Sequence, residues 1–443
     1  MALTAREAAL KTLGAFRKNG AWSDVFLNNI IKKEGLTARD AALASRICYG
    51  VLQNKILCDY YISAFSSIKL NKMEPVVLDI LELSVYQLLF LDKIPASAAV
   101  DEAVTMAKRY ANPRAAGFVN AVLRKISSKQ DALPAITGKT FNERLSIQYS
   151  HPLALVKRLS EFLDESSLEK LLSANNEIVP VTAQVNTLKA SSEAVLTELS
   201  AEGADVRMHP WLSDCLQIHA SGSLESSAVF STGLITIQDA AARLSVMTAE
   251  PREGQRVLDA CSAPGGKAFM AAILMGNNGE ILAADINGKK LQRIERGAER
   301  LGIDIIKTLQ MDATVRNDDL VERFDLVIAD VPCSGLGIIR KKPEIRYKSM
   351  EEIGALPAIQ LNILENLSYY VKRGGILLYS TCTIIPEENE GTVSAFLSGH
   401  TDFSPEAFEL PGPVGRQERG MLTLYPHIHG TDGFFMCKMR RAF

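Results

Sequence analysis

The sequence predicts three domains in series: all-α in front, small and mixed α/β in the middle, and doubly wound α/β at the end. Three observations carry this. Apolar residues recur at three- and four-residue spacing nearly throughout Thr4 to Ser128. From Arg256 onward strand and helix patterns alternate, the mark of a mostly parallel sheet. The run Val257-Leu258-Asp259 passes through Gly265-Gly266 into a helical pattern from Lys267 to Met275, the strand, glycine turn and helix that open such a domain. At 443 residues the chain exceeds what one hydrophobic core usually serves.

The front domain is drawn over residues 1–130, with helices expected at Ala5–Arg17, Asp24–Lys32, Thr37–Gln53, Pro75–Leu91 and Ala98–Tyr110. Thr37 with Asp40 reads as an N-cap and its first-turn carboxylate, Pro75 fits a first turn, and Ser97 reads as the cap of the helix from Ala98. The helix from Pro75 is the most apolar, yet Asp79 and Glu82 interrupt it, so it reads as a core helix and not a membrane span. Arg6, Lys11, Arg17, Lys18, Lys32, Lys33, Arg114, Arg124 and Lys125 are spread over this part. They are either solvated faces or an RNA-binding surface, and spacing does not choose.

A stretch rich in Ser, Lys, Gly and Pro, Ser127–Lys139, reads as a linker. The middle domain, 140–228, is expected to hold helices at Pro152–Leu163, Ser167–Ala174 and Glu193–Glu202, and strands at Val181–Asn186 and Leu216–His219. Trp211 reads as core packing in preference to a stacking platform. In the last domain, 229–443, strands are expected at Arg256–Asp259, Glu280–Asp285, Ile305–Gln310, Phe324–Asp330, Gly375–Ser380 and Phe434–Met439. Helices fall at Lys289–Leu301 behind an Asn287 cap, at Met350–Lys372 with an interruption near Pro357, and at Glu387–Leu397.

Composition excludes several function classes. With 47% apolar and 23% charged residues, the chain has the balance of an ordinary soluble globular protein. A net charge of -2 means that any nucleic-acid site must be a local basic patch. Met1 to Leu10 holds Arg6 and Glu7 and no apolar core, so no signal peptide is expected. The seven cysteines, Cys48, Cys58, Cys215, Cys261, Cys333, Cys382 and Cys437, include no Cys-x-x-Cys pair. That argues against a zinc site or a disulfide framework and for a reducing cytoplasm; no metal is expected.

Phosphate cradling is disfavoured at the glycine turn. A Walker A loop needs Gly-x-x-x-x-Gly-Lys-Ser/Thr, whereas Cys261 stands at the first glycine and Ala268 follows Lys267; a Gly-x-Gly-x-x-Gly fingerprint is also absent. Three carboxylates instead close three successive strands: Asp285, Asp312 just past the third, and Asp330. The first is placed for both hydroxyls of a ribose, the second for an adenine amino group. Any one alone would be a turn or cap residue. Three in register with the glycine turn indicate an adenosine held without phosphate contacts, hence S-adenosylmethionine.

Two cysteines fall on the same edge: Cys333 in Asp330-Val331-Pro332-Cys333-Ser334-Gly335-Leu336-Gly337, and Cys382 in Tyr379-Ser380-Thr381-Cys382-Thr383. Either alone would be a small buried hydrophobe. As a pair they suit methylation of cytosine C5. A thiolate adds to C6, C5 attacks the methyl sulfonium, and loss of the C5 proton expels the thiolate.

The motif Asp259-Ala260-Cys261-Ser262-Ala263-Pro264-Gly265-Gly266-Lys267, the run Asp330 to Gly335, and Ser380-Thr381-Cys382-Thr383 with Pro386-Glu387-Glu388-Asn389-Glu390 resemble the RNA cytosine-5 methyltransferases. In front, Asp59-Tyr60-Tyr61, the Glu82 to Leu91 run and Arg114 to Arg124 resemble the all-helical, RNA-binding NusB domain. Together they are similar to the bacterial branch of the family that methylates 16S rRNA at cytosine 967, over essentially the whole chain.

The resemblance implies a NusB-like front domain and a Rossmann-like methyltransferase domain. It implies S-adenosylmethionine held by Cys261, Ser262, Ala263, Pro264, Gly265, Gly266, Lys267, Asp285, Asp312 and Asp330. Cys382 is implied as nucleophile and Cys333 as release partner, with Lys267 and Asp330 near the target pyrimidine. The implied partner is 16S rRNA, unassembled or within a partly assembled small subunit, with no membrane and no obligate protein partner. The basic stretch Arg340 to Lys348 follows the Cys333 loop, as in the family. Arg340, Lys341, Lys342 and Arg346 are expected to clamp RNA phosphates, although alone the stretch would be a solvated loop.

Two departures stand out: Gln184 where relatives commonly carry arginine, and Leu336 where threonine is common. Two other readings compete, an rRNA or transcription-complex adaptor with a vestigial methyltransferase domain and a DNA cytosine-5 methyltransferase. Intact Asp285, Asp312, Cys333 and Cys382 argue against the first, and Cys382 with the helical front domain against the second.

Overall fold

The computed structural model describes residues 3–19, 23–219 and 224–443. The chain forms two compact units, Met1–Asn176 with Lys342–Tyr347, and Glu177–Lys341 with Lys348–Phe443.

The first unit is helical: α1 (Ala5–Asn19), α2 (Ser23–Glu34), α3 (Ala38–Phe65), α4 (Pro75–Phe90), α5 (Ala96–Tyr110), α6 (Pro113–Ser127), α7 (Phe141–Gln148), α8 (Leu153–Leu159) and α9 (Glu165–Ala174). The Thr37 side chain accepts the Asp40 N–H as the cap of α3. That helix outruns its expected end at Gln53, because the break at Asn54 (φ −117°) kinks it without stopping it. α5 starts behind Pro95, so Ser97 lies in its first turn and is not the cap. α4 is the central helix, buried along most of its length. A Cβ on Gly50 would lie 1.9 Å from the Tyr86 ring, so only glycine lets α3 close on α4. The acids that interrupt α4 are paired, Asp79 with Arg17 and Glu82 with Lys55. Burial still pushes Asp79 up to about 6 and Glu82 to about 8.

The second unit holds two main sheets. One is antiparallel, in the order β2-β3-β1-β4: β1 (Val181–Val185), β2 (Asp205–Met208), β3 (Cys215–His219) and β4 (Ile235–Ile237), with α10 (Ser192–Ala201) and α11 (Ala228–Ser231) between strands. The units therefore do not divide at 140 and 229. Helices α7 to α9 pack in the first unit, where Gln53 donates to the Asn176 carbonyl (2.7 Å) and the Ile56 N–H to Ser150 (2.9 Å). The small sheet needs β4, beyond residue 228, and Asn186 ties it to the carbonyls of Gly233 and Leu301 (3.0 and 2.8 Å).

After α12 (Ala240–Ala249) the chain builds the large sheet: β5 (Arg256–Asp259), α13 (Gly266–Leu274), β6 (Glu280–Asp285), α14 (Gly288–Leu301), β7 (Ile306–Gln310), β8 (Phe324–Asp330), α15 (Met350–Gly354), α16 (Leu356–Ser368), β9 (Val371–Thr381), α17 (Thr392–Gly399), β10 (Phe403–Pro405), β11 (Phe408–Leu410), β12 (Gly415–Gln417), β13 (Met421–Leu424), α18 (Pro426–His429) and β14 (Phe434–Arg441). The order is β10-β14-β9-β8-β5-β6-β7, with β13 also on β14, while β11 and β12 pair apart. β5 to β9 run parallel and β14 antiparallel beside β9.

The expected helix Met350–Lys372 breaks at Ala355 and yields to β9 at Val371. The expected helix from Glu387 opens as a π-turn, Glu387–Gly391, before α17. From β5 the chain steps outward to β6 and β7, then returns to β8 on the other side of β5. That reversal is the crevice where doubly wound sheets bind ligands. Among the described residues, no helix is long and apolar enough to cross a membrane.

Candidate active site

β5 ends at Asp259 and the chain turns through Cys261 to Gly265 into α13. Gly265 has φ +108°, and a Cβ there would lie 2.7 Å from the Phe269 ring, so the turn depends on glycine. The Ser262 N–H donates to the Ala284 carbonyl (2.8 Å) and the Ala263 N–H to the Asp285 carboxylate (3.3 Å), which ties the turn to the end of β6. The other Asp285 oxygen accepts the Asn287 N–H (2.9 Å). Asp312 accepts the N–H and hydroxyl of Thr314 (2.9 and 2.6 Å), which holds its carboxyl below the usual range. Asp330 closes β8, accepting the Ser380 hydroxyl (2.9 Å) and the Lys267 ammonium (2.5 Å). Asp259 is buried, and burial pushes its carboxyl up to about 7 against the pull of Ser262 and Lys267.

The Lys267 ammonium answers to Asp330 and then Asp259, whereas burial and then all four carboxylates, Asp259, Asp330, Asp285 and Asp312, push up the Cys261 thiol. Burial alone would lower the Lys267 pKa, and the Asp330 charge outweighs it, so the ammonium keeps its proton. Its Nζ also stands 5.2 Å from the centre of the Phe434 ring.

The two cysteines meet because β8 and β9 are neighbours with Asp330 opposite Ser380. Cys333 leaves β8, Cys382 leaves β9, and their sulfurs lie 3.2 Å apart. The Gly337 N–H donates to the Cys382 carbonyl (3.0 Å), binding one loop to the other. The hydrogen bond with Cys382, and then burial, push the Cys333 thiol up, so this member of the pair keeps its proton at neutral pH.

Sequence reasoning missed the residues that hold this pair: Ser334, Gln360, Thr383, Glu388 and Asn389. Thr381 donates to the Asn389 side chain (2.6 Å), whose amide donates to the Thr383 carbonyl (3.1 Å). The available signal was the acidic run from Glu387 to Glu390 immediately after the Cys382 loop.

The expected phosphate clamp is not a cluster. The Arg340 side chain is 4% exposed and donates to Asp432 (2.8 Å), while Lys341 bridges Asp239 and Asp432. Lys342 and Arg346 belong to the first unit. There Arg346 is fully buried, donating to the carbonyls of Gln53 (2.7 Å) and Ser150 (2.9 Å) and to the Asn176 side chain (3.0 Å). Burial and internal partners thus remove Arg340 and Arg346 as phosphate ligands. Gln184 is also interior, donating to the Gln238 carbonyl (3.2 Å). Leu336 is buried, and nothing in the structure explains its departure. Trp211 is half-buried against the core with its ring edge-on to His209.

Family profiles match three stretches: 16S rRNA methyltransferase RsmB/F over 246–440, the NusB family over 3–128, and a ferredoxin-like domain of RsmF/B-like methyltransferases over 151–225. A probable ribosomal RNA small subunit methyltransferase B from Bacillus subtilis is 37% identical over 98% of each chain. A namesake from Synechocystis is 32% identical over 99% of this chain and all of that one. The crystal structure of PH0851 superposes with a TM-score of 0.81 at 28% identity, over 99% of this chain and 98% of that one. A methyltransferase homolog from Pyrococcus horikoshii gives 0.59 at 28% identity, over 69% of this chain and all of its own. With these relatives spanning both units and the carboxylate edge and thiol pair in the matched region, the chain belongs to the 16S rRNA methyltransferase RsmB/F family.

Proposed function

We propose that the protein transfers a methyl group from S-adenosylmethionine to C5 of a cytosine in 16S rRNA, through a covalent bond between Cys382 and C6. The observation that carries this is the thiol pair, 3.2 Å apart on the carboxyl edge of the sheet, beside the Lys267–Asp330 pair. The names of the relatives, small-subunit rRNA methyltransferases, supply the substrate class, and the resemblance supplies position 967.

The cofactor fits the edge. The carboxylates Asp285, Asp312 and Asp330 on one edge suit a sulfonium cation and disfavour phosphates. When bound, S-adenosylmethionine supplies an electrophilic methyl group. Asp285 would accept the ribose hydroxyls, Asp312 would accept the adenine amino group, and Cys261 to Lys267 would complete the set that holds it.

The chain's own residues then act on the cytosine. Cys382, as thiolate, gives its electron pair to C6, and the C5=C6 pair shifts so that C5 takes the methyl group. Cys333 keeps its proton while Cys382 attacks, then gives it to water and as thiolate takes the proton from C5; the electron pair of that C–H bond restores C5=C6 and expels Cys382 as thiolate. Lys267, charged and held by Asp330, orients the pyrimidine ring. RNA phosphates fall to exposed cations of the first unit, among them Lys11, Lys18, Lys32, Lys33, Arg114, Arg124 and Lys125.

The test uses both cysteines. Cys382→Ala is expected to abolish transfer and form no adduct. Cys333→Ala is expected to lose turnover yet accumulate a protein–RNA adduct stable to denaturing electrophoresis. The reverse pattern would make Cys333 the nucleophile, and unchanged bisulfite sequencing of 16S rRNA from a deletion strain would remove the substrate assignment.

A further inference from the structure

The thiol separation needs a cause, because both cysteines sit on loops and nothing in strand pairing alone sets side chains 3.2 Å apart. The loops converge on one side chain. Glu388, on the π-turn after the Cys382 loop, is fully buried. Its Oε2 accepts the backbone N–H of Ser334, next to Cys333 (2.8 Å), and the amide of Gln360 (2.9 Å). Its Oε1 accepts the hydroxyl of Thr383, next to Cys382 (3.2 Å). The same Gln360 amide donates to the carbonyl of Pro332, on the other side of Cys333 (3.0 Å). The Ser334 and Thr383 hydroxyls close the ring at 2.7 Å. The turn that presents Glu388 is itself pinned, since the Tyr379 hydroxyl donates to its carbonyl (2.6 Å).

All three donors to this carboxylate are uncharged. Burying a carboxylate against neutral donors is costly, and an apolar residue would pack there more cheaply. What the carboxylate supplies is two acceptor atoms rigidly fixed to each other, one per loop. We propose that Glu388 is a positioning residue that fixes the spacing of Cys333 and Cys382. This rests on the reading that both thiols serve one catalytic cycle. A displacement of about 1 Å at a reacting group costs on the order of 100-fold in rate, so such a clamp acts on turnover and not on substrate binding.

The conservative variant is informative. In Glu388→Gln the amide oxygen takes the Oε2 place and keeps Ser334 and Gln360, while its NH2 faces Thr383, whose hydroxyl turns to accept. Glu388→Ala leaves the Ser334 N–H without its acceptor and the Gln360 amide with the Pro332 carbonyl alone.

The experiment uses the full chain and two readouts. The first is the rate at which diamide, which removes two electrons and two protons, closes a Cys333–Cys382 disulfide, read by peptide mass. The second is the split between kcat and KM for methyl transfer. Glu388→Ala is expected to slow closure at least ~10-fold and lower kcat roughly 100-fold, with both KM values within about threefold. Glu388→Gln is expected to recover closure and most of kcat.

Closure and kcat at wild-type values in Glu388→Ala overturn the proposal, as does a loss confined to KM. Should Glu388→Ala fail to fold, Gln360→Ala, which removes one donor and frees Pro332, is expected to slow closure in the same direction, and no slowing overturns it. Closure is independent of RNA, so slowed closure in a protein whose wild type forms no adduct would refute the proposed reaction and leave the positioning role standing.

Discussion

The cofactor edge and the thiol pocket share the same strand ends, yet they are assembled differently. Asp285 and Asp312 are held by the N–H groups of Asn287 and Thr314, each two residues along. Cys333 and Cys382 are 49 residues apart, and the Ser334–Glu388 bond that steadies them spans 54. In the first half, Asp285 and Asp312 each find a partner beside their own strand end. The other exists only once β8 and β9 lie side by side. The local half should therefore tolerate damage to the distant one, and the reverse.

The largest effect is expected where the halves join. Lys267 leaves the glycine turn, and its ammonium reaches Asp330 beside the thiols. Lys267→Ala removes a charge-assisted bond of roughly 2–3 kcal/mol, and single-turnover transfer should fall about 100-fold. Transfer near the wild-type rate would show that the two halves do not depend on this pair.

Asp285→Ala tests independence directly. S-adenosylmethionine affinity should weaken by roughly 1.5–3 kcal/mol for each charge-assisted bond lost, while diamide closes the disulfide at the wild-type rate. Calorimetry beside the closure assay decides it, and slowed closure would mean that the edge and the pocket are one cooperative element.

The smallest effect concerns Asp259, whose folded-state carboxyl is pushed up to about 7 by burial. A raised acid favours the folded state at low pH and withdraws that support as pH rises through the folded value. Between pH 6 and pH 8 this one group should remove about 1.4 kcal/mol of stability. Asp259→Asn should flatten that slope in denaturant titrations at the two pH values, and an unchanged slope would show that the carboxyl is not raised.

Legibility in the sequence followed the same division. β5, β6 and β8 begin and end where expected, and Asp285, Asp312 and Asp330 fall on one edge, because local apolar runs and turn residues encode them. Cys333 and Cys382 were visible as residue types at strand ends, but not the side chains that hold them. Gln360 and Glu388 acquire meaning only when distant segments meet. The basic run from Arg340 misled for a related reason. Positive charge suggested a surface, whereas the interleaved Pro343 and Ile345 are buried and take Arg346 inside with them. A guanidinium with three internal acceptors is a packing element, and charge counting cannot see that.

The segment Lys342–Tyr347 has a consequence for how the molecule comes into being. Arg346 and Tyr347 supply donors to carbonyls of Leu52, Gln53 and Ser150 in a unit whose other residues all precede 177. On the ribosome, the front half therefore emerges with part of its interior missing. It waits for a piece that is translated only after β5 to β8. Fragments ending near residue 130 or 176 lack that piece.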